Sequence, residues 1–268
     1  MDMLENVPAL PDIQSRPDRR GVSIDAVGVK DVRYPVTVRS AGAAMPTIAL
    51  LTLTVGLPAA SKGTHMSRFV ELLEARAGAM GLEDLAAVMA DMLGRLGAQS
   101  GEIRMRFPYF IEKKAPVSGA QSRLDYDVCW TARGRRAGGV ALGMEVSVPV
   151  TSLCPCSKEI SAYGAHNQRS YIRIEADLEQ VVPIEELVGI AEREASCEVY
   201  GLLKREDEKF VTERAYDNPK FVEDLVRDVA LALEGDARIR GFVVEAENFE
   251  SIHNHSAFAR IARATMRH

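Results

Sequence analysis

Along much of the chain apolar and polar residues alternate with a period of two, and stretches with a period near 3.6 interrupt the alternation. Residues 22–38, rich in Val and Ile, and 47–57 read as strands. Residues 64–77 read as a helix with Phe69, Leu72 and Leu73 on one face and Thr64 as its N-cap. Gly81 separates it from a second helix over 82–96, in which Leu85, Val88, Met89, Met92 and Leu96 recur at helical spacing. Residues 102–111 and 122–131 return to period two. The order then repeats. A strand covers 142–150, with Pro149 marking its end or an edge. A polar loop spans 151–167, and the alternation Ile172, Ile174, Ala176, Leu178 gives the next strand. Helices open at Pro183 and Pro219, the second with Phe221, Leu225, Val226, Val229 and Leu233 on one face. Strands over 237–246 and 252–262 close the chain.

This order, strand-strand-helix-helix-strand-strand twice over, predicts an α+β fold with antiparallel sheets. It divides the chain into an extended, Pro-containing lead-in (1–20) and two units, 21–135 and 136–268. A length of 268 residues accommodates two such units. With 47% hydrophobic and 26% charged residues, the chain is neither disordered nor fibrous. The net charge of −5 argues against a nucleic-acid binder or an anionic-membrane binder, while leaving room for a local basic patch on a phosphorylated small molecule. The longest apolar stretch, 48–60, is broken by Thr52, Thr54 and Gly56 and is too short for ~30 Å of hydrocarbon. The first 20 residues lack the basic start and apolar core of a secretory signal. Four cysteines do not make a disulfide scaffold, so a reducing, cytoplasmic location with free thiols is expected.

The densest chemistry lies in residues 151–170. Cys154 and Cys156 flank Pro155, too close for an unstrained disulfide, and His166 follows in the same segment. Thiolate and imidazole in one loop suit a borderline-soft divalent metal or a Cys nucleophile with a His base; the bland alternative is two inert loop thiols. A second cluster, 249–255, carries His253 and His255, which share a face if that segment is a regular strand. A third, 203–209, is a run of mixed charge, ordinarily a solvated loop. Glu223 falls in the first turn of a helix, where an acid complements the dipole. Cys129, beside Trp130, and Cys197, near a helix end, read as structural.

Taken together, LPDIQSRPDRRGVSIDAVGV, KGTHMSRFVELL, PVTSLCPCSKEISAYGAHNQRS, LLKREDEKFVTERAYDNPKFVEDLVRD and ENFESIHNHSAFA closely resemble GTP cyclohydrolase type IB, over about residues 10 to 264. The Cys-Pro-Cys…Gly-Ala-His-Asn-Gln string is the most specific part. The resemblance implies the tunnelling fold, with two tandem ββααββ units and barrels closed between subunits of a homotetramer with interface active sites. It implies hydrolysis of GTP to 7,8-dihydroneopterin triphosphate and formate, at the entry to tetrahydrofolate and pterin synthesis. It implies a divalent cation (manganese, iron, cobalt or zinc) held by Cys154, His166, Glu208 and His253, a mixed shell suited to loose selectivity. Such a cation acidifies water for addition at C8 of the purine. Glu223 would accept both donors of the guanine edge. Lys158, Arg169, Lys204 and Arg205 are candidates for the triphosphate. His255 is the candidate for proton transfer to ring nitrogens and Cys156 for a second reactive thiol. Two alternatives accompany this reading: a thioimide-forming nitrile reductase of the same fold, and a non-catalytic metal-binding protein.

Overall fold

The computed structural model describes residues 11–263, apart from 15, 76 and 77. The first half runs β1 (Ile24–Ser40), β2 (Ala43–Leu57), α1 (Ser67–Glu74), β3 (Ala79–Met80), α2 (Asp84–Leu96), β4 (Ser100–Lys114) and β5 (Gln121–Arg135). The second half runs β6 (Gly138–Leu153), α3 (Pro155–Ile160), β7 (Asn167–Leu178), α4 (Ile184–Glu194) and β8 (Cys197–Glu198). It ends with α5 (Arg205–Asp217), α6 (Val222–Glu234), β9 (Ile239–Asn248) and β10 (Ala257–Arg263). The expected α+β order is therefore present, with α3, α5 and the two-residue strands β3 and β8 added.

All strands join one ten-stranded sheet in the order β10-β9-β7-β6-β5-β4-β2-β1-β3, with β8 paired to β6. Every pairing is antiparallel except the short β1–β3 contact. The sheet is not closed: β10 forms one end, and at the other β1 is flanked only by the two residues of β3. At Gly28 the β1 and β2 backbones approach so closely that a Cβ would overlap the Leu53 carbonyl oxygen.

The alternation in the sequence sorts the two faces. On β7, Ile172, Ile174, Ala176 and Leu178 are buried while Tyr171, Arg173, Glu175 and Asp177 are not. The helices α1, α2, α4 and α6 cover the apolar face and share one continuous core with it. From α6, Val222, Leu225, Val226, Val229, Ala230 and Leu233 are buried, each of the larger side chains contributing about 1.5–3 kcal/mol. The opposite face is charged. There Arg173 bridges Glu145 and Glu245 at 3.0 Å each, and Arg260 reaches Glu245 at 3.2 Å.

The halves are also tied by polar contacts through α4. Glu185 accepts from Ser40 Oγ and Tyr109 Oη at 2.6 Å each. Glu192 accepts from Lys113 Nζ and Tyr126 Oη at 2.7 Å each.

Several sequence expectations are corrected. The loop expected over 151–167 is shorter, because β6 continues through Pro149 to Leu153 and Pro155 starts α3. The strand can pass Pro149 where pairing with β5 has already stopped, at Ser147. The mixed-charge run 203–209 is not a loop: from Arg205 onward it is the start of α5. The strand expected over 252–262 begins only at Ala257, opposite Asn248; the polar residues before it are exposed and unpaired in the ladder. Thr64 does not cap α1, whose N-cap position is Met66 with no side-chain bond; of the expected helix end, residues 76 and 77 lie outside the described residues. Phe221 stands at the N-cap of α6 and is exposed rather than on its buried face.

Candidate metal and nucleotide site

The segment between β6 and β7 is pinned at its ends, Cys154 N–H donating to the His166 carbonyl at 3.1 Å. Pro155 suits the first helical position, and Cys154 becomes the N-cap of α3. Its Sγ accepts the Ser157 N–H at 3.3 Å. Ser157 Oγ donates to the Cys154 carbonyl at 3.1 Å and accepts the His166 N–H at 3.2 Å. One serine thus closes a small ring of bonds that places Cys154 and His166 side by side. Cys156 lies inside α3 and is exposed.

The His166 ring is oriented from behind. Nδ1 lies 3.0 Å from Gln168 Oε1, and Gln168 Nε2 donates to Ser152 Oγ at 2.9 Å. An amide oxygen only accepts, so Nδ1 carries the hydrogen, and in the neutral ring Nε2 keeps its lone pair. Ser251 Oγ approaches the same Nδ1 at 3.3 Å. That contact draws in the stretch before β10, which is further held by the Phe249 N–H on the Arg169 carbonyl (3.1 Å) and by an edge-on Tyr171–Phe249 ring pair. Farther along, His253 and His255 stack with ring centroids 5.2 Å apart. They meet through this stacking and not through strand alternation, since their segment is not a strand; both are exposed.

The acids come from two helix starts. Lys204 N–H donates to Asp207 Oδ2 at 2.8 Å and begins α5; Asp207 turns inward, while Glu208, Lys204 and Arg205 are exposed. The start of α6 is pinned to the end of β6 by the Lys220 N–H on the Leu153 carbonyl at 3.1 Å, which sets Glu223, exposed in the first turn, near the chain that leads into Cys154. Leu153 N–H is held in turn by the buried Ser196 Oγ at 3.1 Å. Lys158 spends its ammonium on the end of α5, 2.5 Å from the Tyr216 carbonyl and 4.3 Å above the Tyr216 ring.

A cavity of about 500 Å³ lies between β6, β7, β8 and α5, lined among others by Gln168, Arg169, Glu198, Tyr200 and Thr212. Among the described residues Arg169 pairs with no carboxylate. Glu198 accepts from Tyr200 Oη at 2.6 Å and pairs with Arg214 at 2.9 Å. Burial opposes its charge, but the Tyr200 hydroxyl and Arg214 hold its carboxyl below the ordinary value. The neighbouring Cys197 thiol is pushed up to about 11 by burial and by Glu198, as befits an unreactive structural sulfur.

The structure therefore brings Cys154 and His166 together and ties the loop of His253 to His166 through Ser251. It leaves Glu208 on the α5 surface, and among the described residues no three His, Cys, Asp or Glu side chains gather at metal-binding distance. The donor chemistry nevertheless fits a borderline divalent cation: a soft sulfur beside an imidazole whose Nε2 is free. Ser152, Gln168, Ser170, Ser251 and Asp207 were not singled out from the sequence. Gln168 and Ser170 did leave a signal there, as polar residues at inward positions of an otherwise apolar alternation.

A family model for type I GTP cyclohydrolase folE2 matches residues 10–259. The chain belongs to the FolE2 family. FolE2 relatives include the GTP cyclohydrolase FolE2 of Burkholderia multivorans (strain ATCC 17616 / 249), 58% identical over 264 residues, with 98% of each chain covered. That of Paraburkholderia xenovorans (strain LB400) is also 58% identical over the same length and coverage. Among solved structures, the uricase from Arthrobacter globiformis superposes with a TM-score of 0.52 at 10% identity, covering 91% of this chain and 95% of that one. At that identity the likeness concerns the fold alone, and it places this FolE2 chain among mixed α+β tunnelling folds. No described helix is long and apolar enough to cross a membrane.

Proposed function

We propose that the chain hydrolyses GTP to 7,8-dihydroneopterin triphosphate and formate, feeding folate and pterin synthesis, with a divalent cation held by Cys154, His166, Glu208 and His253. FolE2 membership over nearly the whole chain carries the reaction. For the cation, the supporting observation is the Cys154–His166 pair, closed by Ser157 and with Nε2 left free by Gln168. That arrangement favours Cys154 over Cys156 as the sulfur ligand. The chemistry such a cation supplies when bound is Lewis-acid activation of water at neutral pH.

The chain's own groups do the rest. Two waters are consumed as the C8–N7 and C8–N9 bonds break and C8 leaves as formate; the ribose then rearranges, and its C2′ carbonyl condenses with the freed N7 amine, which closes the pterin ring and releases one water, so that one water is consumed net. Glu223 accepts the N1–H and exocyclic amine of guanine as a charge-assisted pair. Arg169, facing the cavity without a carboxylate partner, is the foremost candidate for the triphosphate, and Lys204 and Arg205, exposed at the start of α5, are further candidates. Lys158 would have to leave Tyr216 to contribute. His255, stacked on His253, moves protons to and from the ring nitrogens, and Cys156, exposed on α3, is the candidate for a second reactive thiol beside Cys154.

The open ends of the sheet at β1 and β10 leave backbone groups for strands of other copies, which supports a homotetramer that closes barrels and completes the sites at its interfaces. A cytoplasmic setting suits the free thiols. Incubation with GTP and manganese, iron, cobalt or zinc, read as pterin fluorescence after oxidation, tests the reading. Failure to form product with all four metals would sink it.

A further inference from the structure

The inward positions of β7, read from Leu178 back toward the site, are Leu178, Ala176, Ile174, Ile172, Ser170 and Gln168. Four apolar residues give way to two polar ones while burial persists. Ser170 and Ser152, the latter on β6 opposite Gln168, have no exposed surface, and Gln168 is 8% exposed. Polar groups at such positions are destabilising unless bonded, and small apolar residues would fill the space without that demand.

These groups are bonded in series. Ser170 Oγ and Ser152 Oγ lie 2.7 Å apart, Gln168 Nε2 donates to Ser152 Oγ at 2.9 Å, and Gln168 Oε1 faces His166 Nδ1 at 3.0 Å. Buried serines hold the far end of the amide, so its carbonyl oxygen is turned outward to the one member of the series that carries a metal-binding atom. The result is a fixed ring plane, a fixed tautomer and a lone pair on Nε2.

We infer that Gln168 is a positioning residue that presents His166 Nε2 to the divalent cation, and that the Ser152–Ser170 pair exists to keep its amide from turning. The inference rests on the reading of His166 as a ligand. Outer groups that orient a metal-binding imidazole commonly change affinity 10–100-fold when removed.

The test uses the full-length, metal-free protein titrated with cobalt(II) against a competing chelator and followed by visible absorption, with circular dichroism and thermal melts alongside. Gln168→Leu removes the acceptor and should weaken cobalt binding by about 10–100-fold. Gln168→Glu keeps an acceptor at that place and should stay within a few-fold of the parent. Ser152→Ala frees the far end of the amide and should give a smaller but measurable loss; it also decides the matter if Gln168→Leu does not fold. Folded Gln168→Leu or Ser152→Ala protein that binds cobalt as the parent does would overturn the inference. His166→Ala separates the two levels. If it loses cobalt while Gln168→Leu does not, only the positioning role falls. If it binds cobalt unchanged, the ligand reading falls and takes the positioning role with it.

Discussion

Ser118 and Asp207, 89 positions apart and in different halves of the chain, meet through two hydrogen bonds, Ser118 donating its N–H at 2.9 Å and its hydroxyl at 2.6 Å to the carboxylate. Val117 and Lys204 each add a backbone N–H at 2.8 Å. Asp207 has no exposed surface, so its charge persists only because these donors replace water. The bonds fasten the β4–β5 turn to the first turn of α5, where the next residue is Glu208.

Asp207→Asn turns an all-acceptor group into one that must present a donor to at least one N–H or hydroxyl. It is expected to lower the thermal midpoint by several degrees and to weaken cation binding through the loosened start of α5. Burial alone would raise the Asp207 carboxyl; the bonds from Ser118, Lys204 and Val117 outweigh it and hold it below the ordinary value. A depressed folded-state value means that the stabilisation is fully present above the ordinary carboxylate range, about pH 4, and is lost as pH falls below it. Melts in a pH series should therefore show parent and variant drawing together in acid. A constant difference down to the lowest pH would contradict the assignment.

A second clamp predicts its own hierarchy. Glu192 sits between Lys113 and Tyr126, with the Lys113 and Glu192 side chains 12% and 13% exposed. Tyr126→Phe deletes one bond to a carboxylate that keeps its cation and should cost about 1–2 kcal/mol. Lys113→Met leaves a largely buried carboxylate without its counter-charge and should cost more, about 3 kcal/mol. Chemical denaturation of the two variants measures the order; Tyr126→Phe proving the more damaging would show that the ion pair is not what holds α4 to β4.

Most of the sheet was legible because one face is buried, which forces a period of two onto β7 and its neighbours. The helices α2 and α6 were legible for the matching reason at a period of 3.6. The helix α5 was not, since only Asp207 and Ala215 of its residues are buried and no apolar stripe exists to be seen; its start is specified by Asp207, a polar device that mixed charge conceals. The helix α3 was not legible either: a six-residue helix among polar residues reads as loop, with Pro155 at its first position the one local sign. His253 and His255 do stand together, but by stacking in an irregular segment rather than by strand geometry. Of the candidate ligands, Cys154 and His166 share one segment and so could be linked on sequence, whereas Glu208 stays on the α5 surface and the start of α6 that carries Glu223 is placed by a long-range backbone bond, Lys220 to Leu153, which leaves no trace in local pattern.

The two thiols of the Cys-Pro-Cys string should separate in experiment. Cys154 Sγ faces the Ser157 N–H within the ring of bonds that includes His166, whereas Cys156 is exposed on α3. Cys154→Ala is expected to lose bound metal and GTP turnover while the assembly, followed by size-exclusion chromatography, survives. Cys156→Ala should keep its metal. Treatment of the parent with a chelator should likewise abolish turnover, and manganese should restore it. Equal metal content in Cys154→Ala and the parent, measured by elemental analysis, would remove Cys154 from the shell.

Glu223 is exposed at the start of α6, and the Lys220–Leu153 bond fixes that start against the end of β6. A carboxylate there is favoured by the helix dipole and offers two acceptors in one plane, the complement of the guanine edge. Glu223→Gln preserves shape but replaces one acceptor with a donor that opposes a guanine N–H. A hydrogen bond to a charged group contributes about 1.5–3 kcal/mol, so the substitution should raise the apparent KM for GTP by about 10–100-fold. Metal content should not change, because Glu223 is outside the proposed shell. The same logic orders the substrates: inosine triphosphate lacks the exocyclic amine and should be penalised in the parent but much less in Glu223→Gln, since the donor it lacks has no carboxylate to meet there. Steady-state kinetics with both nucleotides measure this coupling, and an equal penalty in parent and variant would place the guanine edge elsewhere.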